Sequence, residues 1–367
     1  MKKNILWVAI LFSIAACKEE EIVSEVPEPE EAAPVWQLHE SFLYDLKTQY
    51  NSYVHEDKLY FLGNEIISQV QIRDSVEESE HFLLGKYDQY HRMPIGPRLT
   101  LTANEERLIF KPNRNPVRGG SGFYMRMQGV DPSFVDFSFP NFWRSECMVI
   151  NSRNECLIPY SYQINDTLNG SKVLLVTPNI WNPSPDDDFI DTLQTVQHVV
   201  SQYETRIDGL YVFDDNFYIT ERDGTRMLDA SGTLKFVISA TFQKMFKIDD
   251  ELYGLSFGNL YSSSDGINWL LRGQLDDGFS SIIEFSVFRV VDGKTIGSYF
   301  SQIYHLEIEG NSVNVTELSN EGLEGNRITS FSKFHDKMYI TTLSGVFTKN
   351  YEDFWMVKEN EEEENVN

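Results

Sequence analysis

Residues 245–273 read MFKIDDELYGLSFGNLYSSSDGINWLLRG, and the fold depends on whether this stretch is one unit of a repeat. Its first half is a β-rich run, a reversal at Asp249 and Asp250, and a second run with Leu252 and Tyr253 soon after the turn, which is the pattern of a β-hairpin. Its second half adds a strand with Leu260 and Tyr261, a Ser/Asp/Gly turn and another strand, so the whole reads as four strands in a meander. The hairpin recurs along the chain: YVHEDKLYFLG from Tyr53, LTANEERLIFK from Leu101, MVINSRNECLIPYS from Met148, LYVFDDNFYITE from Leu210, FRVVDGKTIGSYF from Phe288 and FSKFHDKMYITTLSG from Phe331. With one marker per turn (Asp57, Glu105, Arg153, Asp215, Asp250, Asp292, Asp336), the spacings are 48, 48, 62, 35, 42 and 44 residues. A period near 46 residues is that of a four-stranded repeat unit.

Further strands follow several hairpins, as in GVFTKNYEDFWMV after Met338, GTRMLDASGTLKFV after Phe217 and IYHLEIEGNSVNVTEL after Phe300. The pattern resembles the blades of kelch and WD40 propellers. It predicts an all-β chain folded as a β-propeller over residues 35–358, with seven four-stranded blades as the leading count and six or eight as the alternatives. Radial closure of such a ring leaves only short, protected strand edges. Helical periodicity is weak throughout, which disfavours helical and α/β folds. DDFIDTLQTVQHVVSQYE from Asp187 is the exception, since Phe189, Leu193, Val196 and Val200 could share a helical face; it reads as an inserted helix or a long blade strand.

The N-terminus begins MKKNILWVAILFSIAACKEEE. Two lysines, a short apolar run and small residues before Cys17 have the layout of a secretory signal peptide over residues 1–16, too short to be kept as a membrane span. IAAC, Ile14 to Cys17, resembles the lipobox of bacterial lipoproteins. That resemblance implies cleavage before Cys17 and lipidation of Cys17, with acyl chains such as palmitate. Residues 17–34 are rich in glutamate and proline, a composition that cannot offset its ordering entropy and that predicts a flexible acidic tether. Lys18-Glu19-Glu20-Glu21 resembles the export signal of surface lipoproteins of the Bacteroidetes. The chain is therefore expected in the outer membrane, at the cell surface more than on the periplasmic face.

The formal net charge is −25, and it becomes −27 when Lys2 and Lys3 leave with the signal peptide. Nucleic acid is excluded as a partner, because phosphate neutralisation needs clustered Lys and Arg. The membrane is expected as a partner only through the lipid anchor. Acid concentrates in the tether, in Asp186, Asp187, Asp188 and Asp191, and in residues 359–367, which are read as a disordered acidic tail. SPDDDFID lacks the alternating ligands and the glycine of an EF-hand loop, and the seven histidines are scattered, so no metal and no cofactor is assigned.

Two cysteines remain after lipidation. Cys147 and Cys156 flank an Asn-Ser-Arg-Asn turn that would bring them roughly opposite each other across a hairpin. Outside the cytoplasm they form a disulfide or stay as two buried thiols. Ser263, Asp265, Gly266 and Trp269 resemble the Asp-box of sialidases and of many non-enzymatic propellers. There the aspartate caps backbone N–H groups, glycine supplies the permissive φ and tryptophan packs beneath the hairpin. In sialidases this motif lies away from the active site, so the likeness implies a fold and not an enzyme.

Sialidase chemistry would need an arginine triad. The Arg-Ile-Pro signature is missing, and Arg98, Arg114 and Arg118 are the nearest candidates, in loops. NRNPVRGGSG (113–122) lacks the ending of a phosphate loop, and the sequence has no GxSxG elbow; no catalytic residue is assigned. Asp74-Ser75-Val76, Asp166-Thr167-Leu168 and Asp191-Thr192-Leu193 resemble O-glycosylation acceptors of Bacteroidetes envelope proteins, which places candidate modification at Ser75, Thr167 and Thr192. The rings of PSFVDFSFPNFWR (Phe134, Phe137, Phe139, Phe142, Trp143) read as strand core more than as a binding platform. The sequence thus predicts a non-catalytic propeller platform for a protein or glycan partner. The runner-up is a polysaccharide-active enzyme with carboxylates on its inner strands. A third reading, a structural member of an outer-membrane assembly, would show an exposed apolar patch on one blade.

Overall fold

The computed structural model describes residues 35–83, 100–111, 126–127, 149–177, 191–200, 207–275 and 287–358, apart from positions 44–45, 56, 64–65, 104–107, 154, 166–167 and 193–194. These residues belong to one compact unit that runs from Val35 onward. Strand β1 (Gln37–Leu38) comes first, and β2 (Gln49–His55), β3 (Lys58–Gly63), β4 (Ile66–Arg73) and β5 (Val76–Leu83) form a four-stranded sheet. β6 (Thr100–Ala103) and β7 (Leu108–Lys111) form a two-stranded hairpin, followed by β8 (Arg126–Met127). β9 (Val149–Ile150), β10 (Cys156–Asn165) and β11 (Leu168–Thr177) make a sheet completed by β13 (Thr195–Val200), while β12 (Asp191–Thr192) pairs in parallel with β8.

Three regular meanders follow. They are β14 (Ile207–Phe213), β15 (Asn216–Glu221), β16 (Gly224–Leu228) and β17 (Leu234–Ile238); β18 (Lys244–Ile248), β19 (Glu251–Ser256), β20 (Asn259–Ser263) and β21 (Leu270–Gln274); and β22 (Val287–Val291), β23 (Lys294–Tyr299), β24 (Gln302–Glu309) and β25 (Ser312–Leu318). The last sheet is β26 (Ile328–Phe334), β27 (Lys337–Thr342) and β28 (Val346–Asn350), with β1 as its fourth strand, and a one-turn helix α1 (Tyr351–Phe354) follows. Six sheets among the described residues are four-stranded and antiparallel. Each of the seven reversals read from the sequence falls between the first and second strands of a hairpin. The first strands β2, β6, β9, β14, β18, β22 and β26 touch in that order, and β26 touches β2 again. That closed cycle of meanders is the arrangement of a β-propeller.

The segment from Thr195, left open between helix and strand, is a strand paired with β11 from Lys172↔Val200 to Thr177↔Thr195. Its β-branched residues suit a pleated surface, and the ladder satisfies backbone groups that an isolated helical turn would leave unpaired.

Apolar layers between successive sheets hold the ring together. Met245, Phe242 and Leu252 pack on Tyr218 and Met227; Phe246, Leu255 and Leu260 pack on Tyr304 and Leu306; Val291, Ile296 and Ile303 pack on Phe331, Met338 and Ile340. Inner strands are thus buried on both faces, as β15 is from Phe217 through Glu221, whereas the outer strands β17 and β21 keep exposed positions. Strict polar–apolar alternation is lost for the same reason. Each fully buried Phe or Leu contributes about 1.5–3 kcal/mol of transfer free energy.

The chain ends close the cycle. β1 pairs with β28 in the register Gln37↔Thr348 and Leu38↔Phe347. Before it, the Trp36 N–H donates to Glu321 O at 2.9 Å, and the Trp36 ring meets Phe354 edge-on at 5.9 Å. After it, Phe42 is fully buried against Phe61 at 4.7 Å, in the layer shared by the first and last sheets. At the other terminus Val357 bridges to Leu318, and the Lys358 N–H donates to Glu317 O at 3.0 Å.

Candidate functional site

Ser263, Asp265, Gly266 and Trp269 share the turn between β20 and β21, the third and fourth strands of their sheet. The Asp265 carboxylate accepts the Ile267 N–H at 2.8 Å, the Asn268 N–H at 2.7 Å and the Ser263 hydroxyl at 3.0 Å. These bonds, led by that from Asn268, hold its pKa well below the usual carboxylate value. The Gly266 N–H donates to Ser263 Oγ at 2.9 Å, and Trp269 Nε1 donates to Gly266 O at 3.1 Å. Trp269 lies 4.7 Å from the Phe242 ring. Gly266 has φ +71°, and a Cβ there would stand 1.9 Å from the Tyr218 hydroxyl. All of these contacts are spent on the turn itself and the sheet beneath it.

At this end of the ring, turns between first and second strands carry further acids. Lys247 Nζ donates to Asp214 at 2.6 Å, Lys333 pairs with Asp292, and Arg153 lies 3.7 Å from Asp215. Lys247 and Lys333 stand one residue from the ends of β18 and β26, and each reaches back to the reversal of the preceding sheet. The Asn151 side chain accepts from the N–H groups of Arg153 and Glu155 at 3.1 and 2.9 Å, forming the turn read in Asn-Ser-Arg-Asn.

Polar contacts also join the first strands. Ser52 and Ser332 share a buried hydrogen bond of 2.8 Å, Thr329 Oγ1 donates to Gln49 O at 2.7 Å, and Arg289 Nη2 donates to Asn51 Oδ1 at 3.1 Å. Arg289 therefore reaches past β26 to β2 on the inner side of the cycle. At the opposite end, in the β15–β16 turn, the buried carboxylate of Glu221 pairs with Arg226, whose other nitrogen bonds Asp223 at 2.9 Å. Hydrogen bonding from Arg226 lowers the Asp223 pKa.

A third cluster sits at the closure. The carboxylate of Glu77 on β5 bonds His39, accepts the Tyr339 hydroxyl at 2.8 Å and lies 3.2 Å from Lys337 Nζ. It joins the N-terminal segment, the first sheet and the last sheet. Against the effect of burial, the His39 bond, then those from Tyr339 and Lys337, hold the Glu77 pKa at about 2. Burial first, then Glu77, pushes the Tyr339 pKa up. His81, edge-on to Phe42 at 5.5 Å, has its pKa lowered by burial and by His39. None of this was read from the sequence; Glu77 lies in an ordinary run of surface acid, VEESEH, and its partners are 38 to 262 residues away.

Of the other sequence-derived positions, Ser75 is exposed in the β4–β5 turn with φ +65°, and Thr192 is in β12 opposite Met127. Cys156 opens β10 opposite Ile150. Cys17, Cys147, Thr167, Arg98, Arg114, Arg118, Phe134 to Trp143, the tether and the tail lie outside the described residues. Among the described residues no group of three His, Cys, Asp or Glu side chains could hold a metal, and no helix is long and apolar enough to cross a membrane.

No protein-family profile matches the chain, and no curated protein matches it. Solved structures do. A catalytically inactive virginiamycin B lyase from Staphylococcus aureus, crystallised with quinupristin, is 10% identical with a TM-score of 0.51, over 86% of this chain and 98% of that one. The extracellular domain of the one-component system BT4673 from B. thetaiotaomicron is 9% identical with a TM-score of 0.48, over 86% of this chain and 42% of that one. YCF48 bound to D1 peptide is 10% identical with a TM-score of 0.46, over 87% and 97%. The structural neighbours are β-propellers, and at these identities the likeness concerns the fold alone.

Proposed function

We propose that this chain is a non-catalytic envelope lipoprotein, anchored through Cys17 in the outer membrane and displayed at the cell surface, whose ring is a rigid platform for a protein or glycan partner. The observation that carries the reading is how the charged side chains are used. Lys247–Asp214, Lys333–Asp292, Arg153–Asp215 and Glu77 with His39 and Lys337 all tie one sheet to another, and Arg226 closes its own turn. Such ties stiffen a scaffold; an enzyme would aim paired acids and bases at one open mouth. Seven blades are proposed on the closed cycle of seven first strands. The Ser263–Trp269 turn is read as an Asp-box with a structural role, exposed Ser75 as an O-glycan acceptor, and Cys147 with Cys156 as a disulfide or two buried thiols.

Protease shaving of intact cells tests the placement, with a Cys17→Ala variant as the unanchored control. The expected result is loss of the full-length protein from whole cells and loss of membrane fractionation in the variant. Protection until lysis would overturn surface display, and unchanged fractionation of the variant would overturn lipidation.

A further inference from the structure

Lys349, on β28, is 4% exposed, and its Nζ finds no hydrogen-bond partner among the described residues. A buried ammonium is costly unless it is paired, so a group stranded in this way calls for a physical reason. The ladder sets Lys349 opposite Met338, which belongs to the apolar layer of Trp36, Leu323, Phe347 and Phe354. Cross-strand partners share a face of the sheet, so the amine enters the same layer.

The Trp36 ring covers it. Its centroid stands 6.0 Å from Lys349 Nζ, at the outer limit of a cation–π contact, so the indole shields the ammonium from water and compensates it little. Burial lowers the Lys349 pKa against the pull of Asp353 and Glu321. Glu321 is exposed and Asp353 half-buried, so the groups that could satisfy the amine lie toward the surface.

The segment that carries Trp36 is lightly held. The Trp36 N–H donates to Glu321 O at 2.9 Å and its Nε1 to Ser319 O at 3.4 Å, and β1 adds two residue pairs with β28. Val35, Gln37 and Leu38 are exposed, which leaves Trp36 as the buried side chain of the four. From His39 onward the grip is firm. The His39 N–H donates to Val346 O at 2.8 Å, the His39 ring bonds Glu77 and accepts the Ser41 N–H at 3.2 Å, and Phe42 is fully buried.

We propose that Val35–Leu38 is a releasable strap hinged at His39, and that the stranded amine of Lys349 is what keeps it releasable. With the strap down, Trp36 is packed and the amine is unpaired. With the strap lifted, Trp36 meets water and the amine reaches Glu321 and Asp353. The gain on one side offsets the loss on the other, so the two arrangements lie close in free energy while the ring stays folded. Lifting uncovers Phe347 and Thr348, the β28 positions that β1 pairs with, so the strap gates the outer edge of that strand. It stands on the ring's own contacts and needs neither the anchor nor the partner.

Hydrogen exchange of the full chain, read by mass spectrometry, tests this with Lys349→Met beside wild type. In wild type, peptides spanning 35–39 should exchange about 100-fold faster than those spanning 337–342 after correction for intrinsic rates, with 40–43 among the slow set. Lys349→Met fills the layer without a charge and should slow 35–39 about tenfold. The amine supplies a second readout in wild type. An N-hydroxysuccinimide acetate pulse should modify Lys349 more slowly than exposed Lys47, by about the factor that protects 35–39, because both report the same opening. Peptides 35–39 that exchange no faster than 337–342, or that ignore Lys349→Met, would overturn the strap. Acetylation of Lys349 as fast as Lys47 would overturn it too, since the amine would then lie uncovered.

Discussion

Replacing Glu77 by glutamine should weaken the ring at its seam, and the loss should disappear in acid. In the folded chain the Glu77 pKa falls from 4.5 to about 2. Those 2.5 pH units, at about 1.36 kcal/mol each, set a ceiling of about 3.4 kcal/mol. The carboxylate keeps 21% of its side-chain surface in water, which screens the pairing and brings the expected contribution to about 1.5–2.5 kcal/mol. Because folding depresses this pKa, the contribution is fully present above about pH 4.5 and is lost as pH falls toward 2. Urea unfolding of wild type and Glu77→Gln at pH 7, 4 and 2.5 measures it, since other carboxylates cancel in the difference between the two proteins. The gap should be about 2 kcal/mol at pH 7 and shrink toward zero by pH 2.5. A gap of the same size at both extremes would mean that packing and not charge is lost, and no gap at pH 7 would refute the clasp altogether.

Gly266→Ala should cost about 2 kcal/mol or more in thermal unfolding, from the φ of +71° and the 1.9 Å approach to Tyr218; a neutral substitution would contradict the turn geometry. Arg226→Ala, which leaves Glu221 buried without this partner, should cost about 3 kcal/mol, whereas Arg226→Met combined with Glu221→Gln should cost markedly less. Equal losses in urea unfolding would show that the pair's charge is irrelevant there. Phe257→Asn should raise stability by about 1 kcal/mol by relieving the left-handed phenylalanine, and a lower melting temperature would argue that the ring of Phe257 supports the fold.

The Asp265 turn was legible because each of its parts is local. Ser263, Asp265, Gly266 and Trp269 bond within seven residues of chain, so one window of sequence holds the whole arrangement. Glu77 was illegible for the opposite reason, since His39, Lys337 and Tyr339 reach it from both ends of the chain. The strained phenylalanines fall between these cases. Phe257-Gly258 and Phe300-Ser301 occupy turn positions where Gly or Asn belongs, and a search for the wrong residue type in a predicted turn could have found them.

By itself the sequence determined the repeat. Polar reversals every 35 to 62 residues, between β-branched and aromatic runs, specify hairpins through local backbone preference, and local preference is all that a linear pattern needs to encode. The tertiary structure decided how the ends meet. β1 leaves its own neighbours to pair with β28, Phe42 fills the seam, and Val357 clips onto Leu318. Nothing in Gln37-Leu38 announces a partner more than 300 residues away. Two residues carry too little propensity to define a strand, and only the apolar layer between the first and last sheets gives that pairing a free energy worth the loop it closes.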